Sequence, residues 1–243
     1  AWYKVGLQLF CAAGRPGVTA LAERGKNVML DLKLHDIPAT VEKAVRALEG
    51  LPVRLLTVHA SGGPQMLRVA AEAAHALGSK PRVLGVTMLT SLDGSEFPAL
   101  WNPATNLEEK VLGLANACVE AGVDGVVASP REITPLRLEH EPPFLIVTPG
   151  IRGPADASQD QKRTLSLPEA FARGADYIVV GRPILESRDP RSVMAAYEAS
   201  LPPSLPIPLS FQPPKGAWGT VGTASFTPTM PYSRASLTRI AVL

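Results

Sequence analysis

From residue 2 to about residue 200 the chain alternates short β-branched runs with longer stretches whose apolar positions recur every three or four residues. That alternation is the signature of strand-then-helix units wound around a parallel sheet. Strands are expected at 2–7, 27–34, 54–60, 82–89, 125–129, 144–150 and 177–181. Helices are expected at 16–24, 39–49, 64–77, 106–121, 130–138, 168–173 and 189–200. Gly25, Gly50, Gly78, Gly122 and Gly174 fall where a left-handed residue would close a helix. Seven such units, in a chain that opens inside a strand, predict an α/β fold: a (β/α)8 TIM barrel lacking its first βα unit. Residues 1–201 make up this barrel domain. Residues 202–243 break the pattern with eight prolines, no acidic side chain and no period of 2 or 3.6, so an irregular Pro-rich tail is expected there.

Composition narrows the class of function. With 243 residues, 46% of them apolar, the chain can bury one large core. Its net charge of +2 supplies no basic field of the kind nucleic-acid binding needs. No apolar run approaches the ~20 residues that span a bilayer, so no membrane partner is expected. The opening AWYKVGLQLFCAAG has a short apolar stretch before Cys11, but Gln8 interrupts it and it is not read as a signal segment. Cys11 and Cys118 lie far apart with no CxxC spacing, which favours neither a disulfide nor a zinc site and fits a reducing cytoplasm.

The stretch VMLDLKLHDIPAT, residues 28–40, carries the strongest chemical signal. Alternation along a strand puts Asp31 and Lys33 on one face and Leu30, Leu32 and Leu34 on the other. In a barrel the leucines would pack on the helices, and the acid and base would point inward at the catalytic end. Asp36 follows just beyond the strand. Charges in so apolar a strand are costly unless paired, so Asp31, Lys33 and Asp36 are expected to form one network. Lys4, sharing parity with Trp2 and Gly6 on the preceding strand, brings a second ammonium to the same mouth.

A second signal is phosphate recognition. The last strand runs into GRPI, residues 181–184, where Gly181 lets the backbone approach an anion, Arg182 offers a charged fork and Pro183 suits a first helical turn. Barrels of this kind hold phosphates in the loops after their last strands. The strand before it ends in TPGIR, and DQKR follows at 160–163.

These segments, DLKLHDIPAT, VHASGG, VTMLTS, VTPGIR, DQKR and VVGRPI, resemble in chain order the signatures of the orotidine 5′-phosphate decarboxylase family over nearly all of residues 1–200. The resemblance implies conversion of orotidine 5′-phosphate to UMP in de novo pyrimidine biosynthesis, by a homodimer with shared active sites and with no metal, flavin or pyridoxal cofactor. Lys4, Asp31, Lys33 and Asp36 would be catalytic, with Lys33 the proton donor. Lys4, Asp31 and Ile37, with the rest of the DLKLHDIPAT segment, would line the substrate site, and Asp36 and Thr40 would reach across a dimer interface into the partner's site. Thr90, Arg152, Gln161, Gly181 and Arg182 match the remaining ligand contacts, and Ser129 a contact to the pyrimidine edge. The family also places a strand with a ribose-binding aspartate ahead of the KVG strand. Without it, two sheet edges are expected to lie open.

Other candidates have blander readings. His59 reads as a hydrogen-bonded histidine at the barrel mouth, His35 as structural, His75 and His140 as solvent-facing, and Cys118 as a core residue. Trp101 suits a mouth cover or a surface plug equally. Two rivals to the decarboxylase reading are Mg²⁺-dependent phosphosugar decarboxylases and aldolases on the same barrel, whose DxKxxD acids serve the metal, and an inactive truncated barrel that only binds nucleotide.

Overall fold

A computed structural model of the chain describes residues 2–89, 106–151, 165–201 and 240–242. In chain order the elements are β1 (Trp2–Gly6), α1 (Leu7–Glu23), β2 (Asn27–Leu34), α2 (Pro38–Arg46), β3 (Val53–His59), α3 (Pro64–Ala76), β4 (Arg82–Val86) and α4 (Leu107–Glu120). Then follow β5 (Gly125–Val127), α5 (Ile133–Glu139), β6 (Leu145–Pro149), α6 (Leu167–Ala172), β7 (Tyr177–Val180), α7 (Arg182–Leu185), α8 (Pro190–Ala199) and β8 (Ile240–Val242). The strands are parallel and close in order into a barrel. Among the described residues no helix is long and apolar enough to cross a membrane.

Local chemistry sets the boundaries. Pro38 and Pro64 open α2 and α3, where the missing N–H costs nothing. The side chain of Asn106 accepts from Glu109 N at the start of α4, and Ser166 and Glu169 form a reciprocal capping box on α6. Four of the five expected helix-closing glycines have positive φ. Gly78 does not, and the turn after α3 instead places Lys80 at φ 44°. Helix α1 starts directly after β1, nine residues before its expected start at 16, and is broken at Gly14, two residues before Pro16. The break separates two helical segments that sequence periodicity alone does not join.

The strand that closes the ring comes from the end of the chain. Ile240 pairs with Ile178 of β7, and Ala241 pairs with both Val179 and Trp2 of β1. The two edges expected to lie open are therefore hydrogen-bonded, and Ile240–Val242, at the end of the segment expected to be irregular, is strand. Unpaired N–H and C=O groups on two facing edges favour capture of any short apolar strand within reach.

Side-chain alternation separates two cores. Leu30, Val58, Val126, Ile146 and Ile178 point outward and pack with the helices. Met29, Leu55, Leu84, Leu145, Val147 and Val179 fill the barrel interior, beside Trp2 and Tyr177, whose rings meet edge to face at 5.0 Å. This apolar plug floors the polar mouth above it. Gly125, paired with Leu145, has no room for a side chain, because a Cβ there would overlap the Leu145 carbonyl oxygen and Cβ. Gly125→Ala is expected to cost about 1–3 kcal/mol through overpacking against a backbone that cannot swing away. Urea denaturation would measure it, and unchanged stability would contradict the tight strand contact.

Candidate active site

Five inward-facing side chains from three adjacent strands meet at the C-terminal mouth of the barrel: Lys4 on β1, Asp31 and Lys33 on β2, Thr57 and His59 on β3. Asp31 is their hub. Lys4 Nζ donates to Asp31 Oδ2 at 2.8 Å, Lys33 Nζ donates to the same oxygen at 2.7 Å, and Thr57 Oγ1 donates to Asp31 Oδ1 at 2.9 Å. Gly6 borders this cluster, since a Cβ there would lie 3.0 Å from Lys4 Nζ.

The electrostatics follow from burial and charge. Asp31 is 6% exposed. Burial pushes its carboxyl up, but the Lys4 and Lys33 ammonium groups outweigh that and hold it below the ordinary carboxylate value. One carboxylate thus faces two ammonium ions, leaving a net positive charge on this trio. Lys33, whose side chain is 29% exposed against 11% for Lys4, is the cation that reaches the opening.

The backbone at Lys33 is unusual. Its φ is +50°, a left-handed conformation that costs a non-glycine residue on the order of 1–3 kcal/mol. The β2–β3 ladder is irregular at the same place, passing from Leu30↔Leu56 directly to Leu34↔Val58. Residues 31–33 therefore bulge against Thr57 alone, and Lys33 N donates to Thr57 Oγ1 at 2.9 Å.

Other expected site residues are placed as follows. Asp36 is exposed, accepts from Ile37 N at 2.7 Å, and forms no ion pair with Lys33 among the described residues, so the charged network is Lys4–Asp31–Lys33 and not Asp31–Lys33–Asp36. The strand ends at Leu34 and Asp36 lies on the turn beyond it. Ile37, at 67%, and Thr40 are exposed as well. Ser129 follows β5, its N–H donating to Glu132 Oε2 at 2.7 Å. Glu132 is buried, and that burial raises its pKa. Gly181 caps α7, and Arg182, its first residue, is exposed. Thr90, Arg152, Gln161, the rest of DQKR and Trp101 lie outside the described residues.

The histidines differ in part from expectation. His59 and His35 pack ring against ring at 5.2 Å over the mouth. Burial, then the neighbouring His35 and Lys33, lowers the His59 pKa and so favours its neutral ring. His75 is exposed, as expected, and pairs with Asp124 at 2.8 Å. His140 is buried, not solvent-facing, with its ring tilted against that of Phe144 at 5.0 Å. Cys118 is a core residue, its thiol pushed up to about 12 by burial. Sequence reasoning missed Thr57 and Glu132. A polar residue at an inward position of the apolar run LLTVHA was the available sign of the first, and a carboxylate three residues after Ser129 of the second.

Residues 1–197 match the family model described as "Orotidine 5'-phosphate decarboxylase / HUMPS family". A curated orotidine 5′-phosphate decarboxylase from Streptococcus pneumoniae serotype 19F (strain G54) is 43% identical over 198 residues, covering 82% of each chain. The crystal structure of orotidine 5′-phosphate decarboxylase from Lactobacillus acidophilus is similar with a TM-score of 0.69 and 40% identity, covering 81% of this chain and 83% of that one. An uncharacterized conserved protein from Geobacillus kaustophilus matches with the same TM-score and 33% identity, covering 82% of this chain and 87% of the other.

Proposed function

Because the chain belongs to the orotidine 5′-phosphate decarboxylase / HUMPS family, we propose that it decarboxylates orotidine 5′-phosphate to UMP without a metal or organic cofactor. The observation that carries this reading is Lys33, held by Asp31 and presented at the mouth of the barrel. When the C6–carboxylate bond breaks, the carboxylate leaves as carbon dioxide and the electron pair stays on C6, where no adjacent carbonyl delocalises it. A fixed ammonium beside that carbon stabilises the charge as it develops. The same group then transfers a proton from Nζ to C6, giving UMP and a neutral amine that solvent reprotonates. Asp31 holds Lys33 aimed before the reaction, and Lys4 balances Asp31.

The Mg²⁺-dependent rival fits this donor set poorly. Both oxygens of Asp31 already accept from cationic or hydroxyl donors, and a divalent ion there would have to displace an ammonium. Phosphate binding falls to Gly181 and Arg182 after β7, with Thr90, Arg152 and Gln161 supplying the remaining ligand contacts. Ser129, its backbone held by Glu132, meets the pyrimidine edge. Asp36 and Thr40, exposed in a single chain, reach the neighbouring site of a homodimer, and Ile37 lines the substrate site.

Turnover is tested by following the loss of ultraviolet absorbance of orotidine 5′-phosphate, with and without EDTA. Turnover unaffected by chelation supports the reading. Activity lost with EDTA would overturn the metal-free reading, and no activity at all favours the metal-dependent phosphosugar rival or the nucleotide-binding remnant. Arg182→Ala is expected to weaken UMP binding about 10- to 100-fold, the loss of a charge-assisted bond worth roughly 1.5–3 kcal/mol, while uridine binding stays unchanged. Calorimetric titration with both ligands checks it. Equal affinity of the unmodified protein for UMP and uridine would remove the phosphate grip.

A further inference from the structure

We propose that Thr57 is a positioning residue for the reaction, its hydroxyl locking Asp31 and the backbone of Lys33 into one unit. The proposal deepens the decarboxylase reading and rests on it for the kinetic effects expected below. Its geometric basis is the interrupted ladder between β2 and β3. In a regular strand, residues two apart are separated by about 6.6 Å and their side chains run side by side. Here three residues of β2 span the distance of one residue of β3, and the left-handed turn at Lys33 folds its side chain back so that Nζ lies 2.7 Å from Asp31 Oδ2.

Such a bulge removes ladder partners, and its strain persists only if surrounding bonds hold it. Thr57 supplies them. Its Oγ1 accepts from Lys33 N and donates to Asp31 Oδ1, both at 2.9 Å, and the residue is fully buried. A hydroxyl can do both at once because it carries one donor proton and free lone pairs. The donated proton has a directional consequence: Thr57 occupies Oδ1, and both ammonium groups meet on Oδ2. Valine has nearly the same shape but can neither accept from Lys33 N nor bond the carboxylate. Serine keeps both functions.

Three readouts separate positioning from simple packing. Thr57→Val is expected to lower kcat on the order of 10²-fold through misplacement of Lys33, with KM for orotidine 5′-phosphate and affinity for UMP within a few-fold of the unmodified protein. Thr57→Ser is expected to retain kcat within a few-fold. The Asp31 carboxyl faces Lys4 from β1, Lys33 on its own strand and His59 from β3, with His35 beside His59. All are still present in the valine variant, so a change in its titration reports the lost hydroxyl together with the displacement of Lys33 that the hydroxyl prevents.

Carbon NMR of aspartate-labelled protein should place that titration at higher pH in Thr57→Val than in Thr57→Ser or the unmodified protein. Equal kcat in the valine and unmodified proteins would overturn the proposal, as would coincident carboxyl titrations. Equal losses in the serine and valine variants would do so too, because packing and not the hydroxyl would then matter. Should the unmodified chain fail to turn over orotidine 5′-phosphate, the decarboxylase reading falls, and the carboxyl titration still decides whether Thr57 locks Asp31.

Discussion

Lys33→Ala is expected to reduce kcat for orotidine 5′-phosphate by at least about 10⁴-fold while UMP affinity changes less than about tenfold. Two effects are lost together. A positioned proton donor contributes roughly 10²–10⁴-fold, and a preorganised charge at the developing anion roughly a further 10²–10³-fold. Neither is replaced by Lys4, whose ammonium is bonded to Asp31 from the neighbouring strand and is 11% exposed. The fold should survive, since Asp31 keeps Lys4 and Thr57 as partners. Ultraviolet turnover assays and UMP titration measure the two quantities separately. Near-normal turnover would take Lys33 out of its role, and a parallel collapse of UMP binding would make it a binding group rather than the group that meets C6.

How far the sequence disclosed this arrangement depends on the range of each interaction. The parity of Leu30, Asp31, Leu32 and Lys33 is a local property of one strand, and the structure places the leucines against the helices and the charges at the mouth as that parity requires. Lys4 was legible for the same reason. The spacing DxKxxD suggested a three-membered network, but it carries no information about where the strand stops. The chain turns after Leu34, so Asp36 bonds its own loop instead. The bulge opposite Thr57 was invisible because register is a property of two strands, neither of which contains a glycine or proline there to signal it. The closing strand β8 is three residues long, too short to show a period of any kind.

Removing the hub should have the largest effect on stability. Asp31→Ala is expected to destabilise the fold by about 3 kcal/mol, the lower end of the cost of breaking a buried ion pair, because Lys33 retains partial solvent contact. Two ammonium ions drawn to one oxygen would then face each other without a counter-charge, and the Thr57 hydroxyl would lose its acceptor. Turnover should vanish with it. The pH dependence has a definite sign. Asp31 has a folded pKa below the ordinary 3.8, so its stabilisation is complete above that value and is lost as pH falls through the lowered one. The stability gap between the unmodified and variant proteins should therefore hold steady from neutrality down to about pH 4 and close below it. Adding Lys33→Ala to Asp31→Ala removes one of the two stranded charges and should restore part of the lost stability, a non-additivity expected of groups in direct contact. Urea denaturation across pH measures all three proteins. If the double variant is no more stable than Asp31→Ala, or if the gap ignores acid, then Asp31 is not the counter-ion that holds the two lysines together.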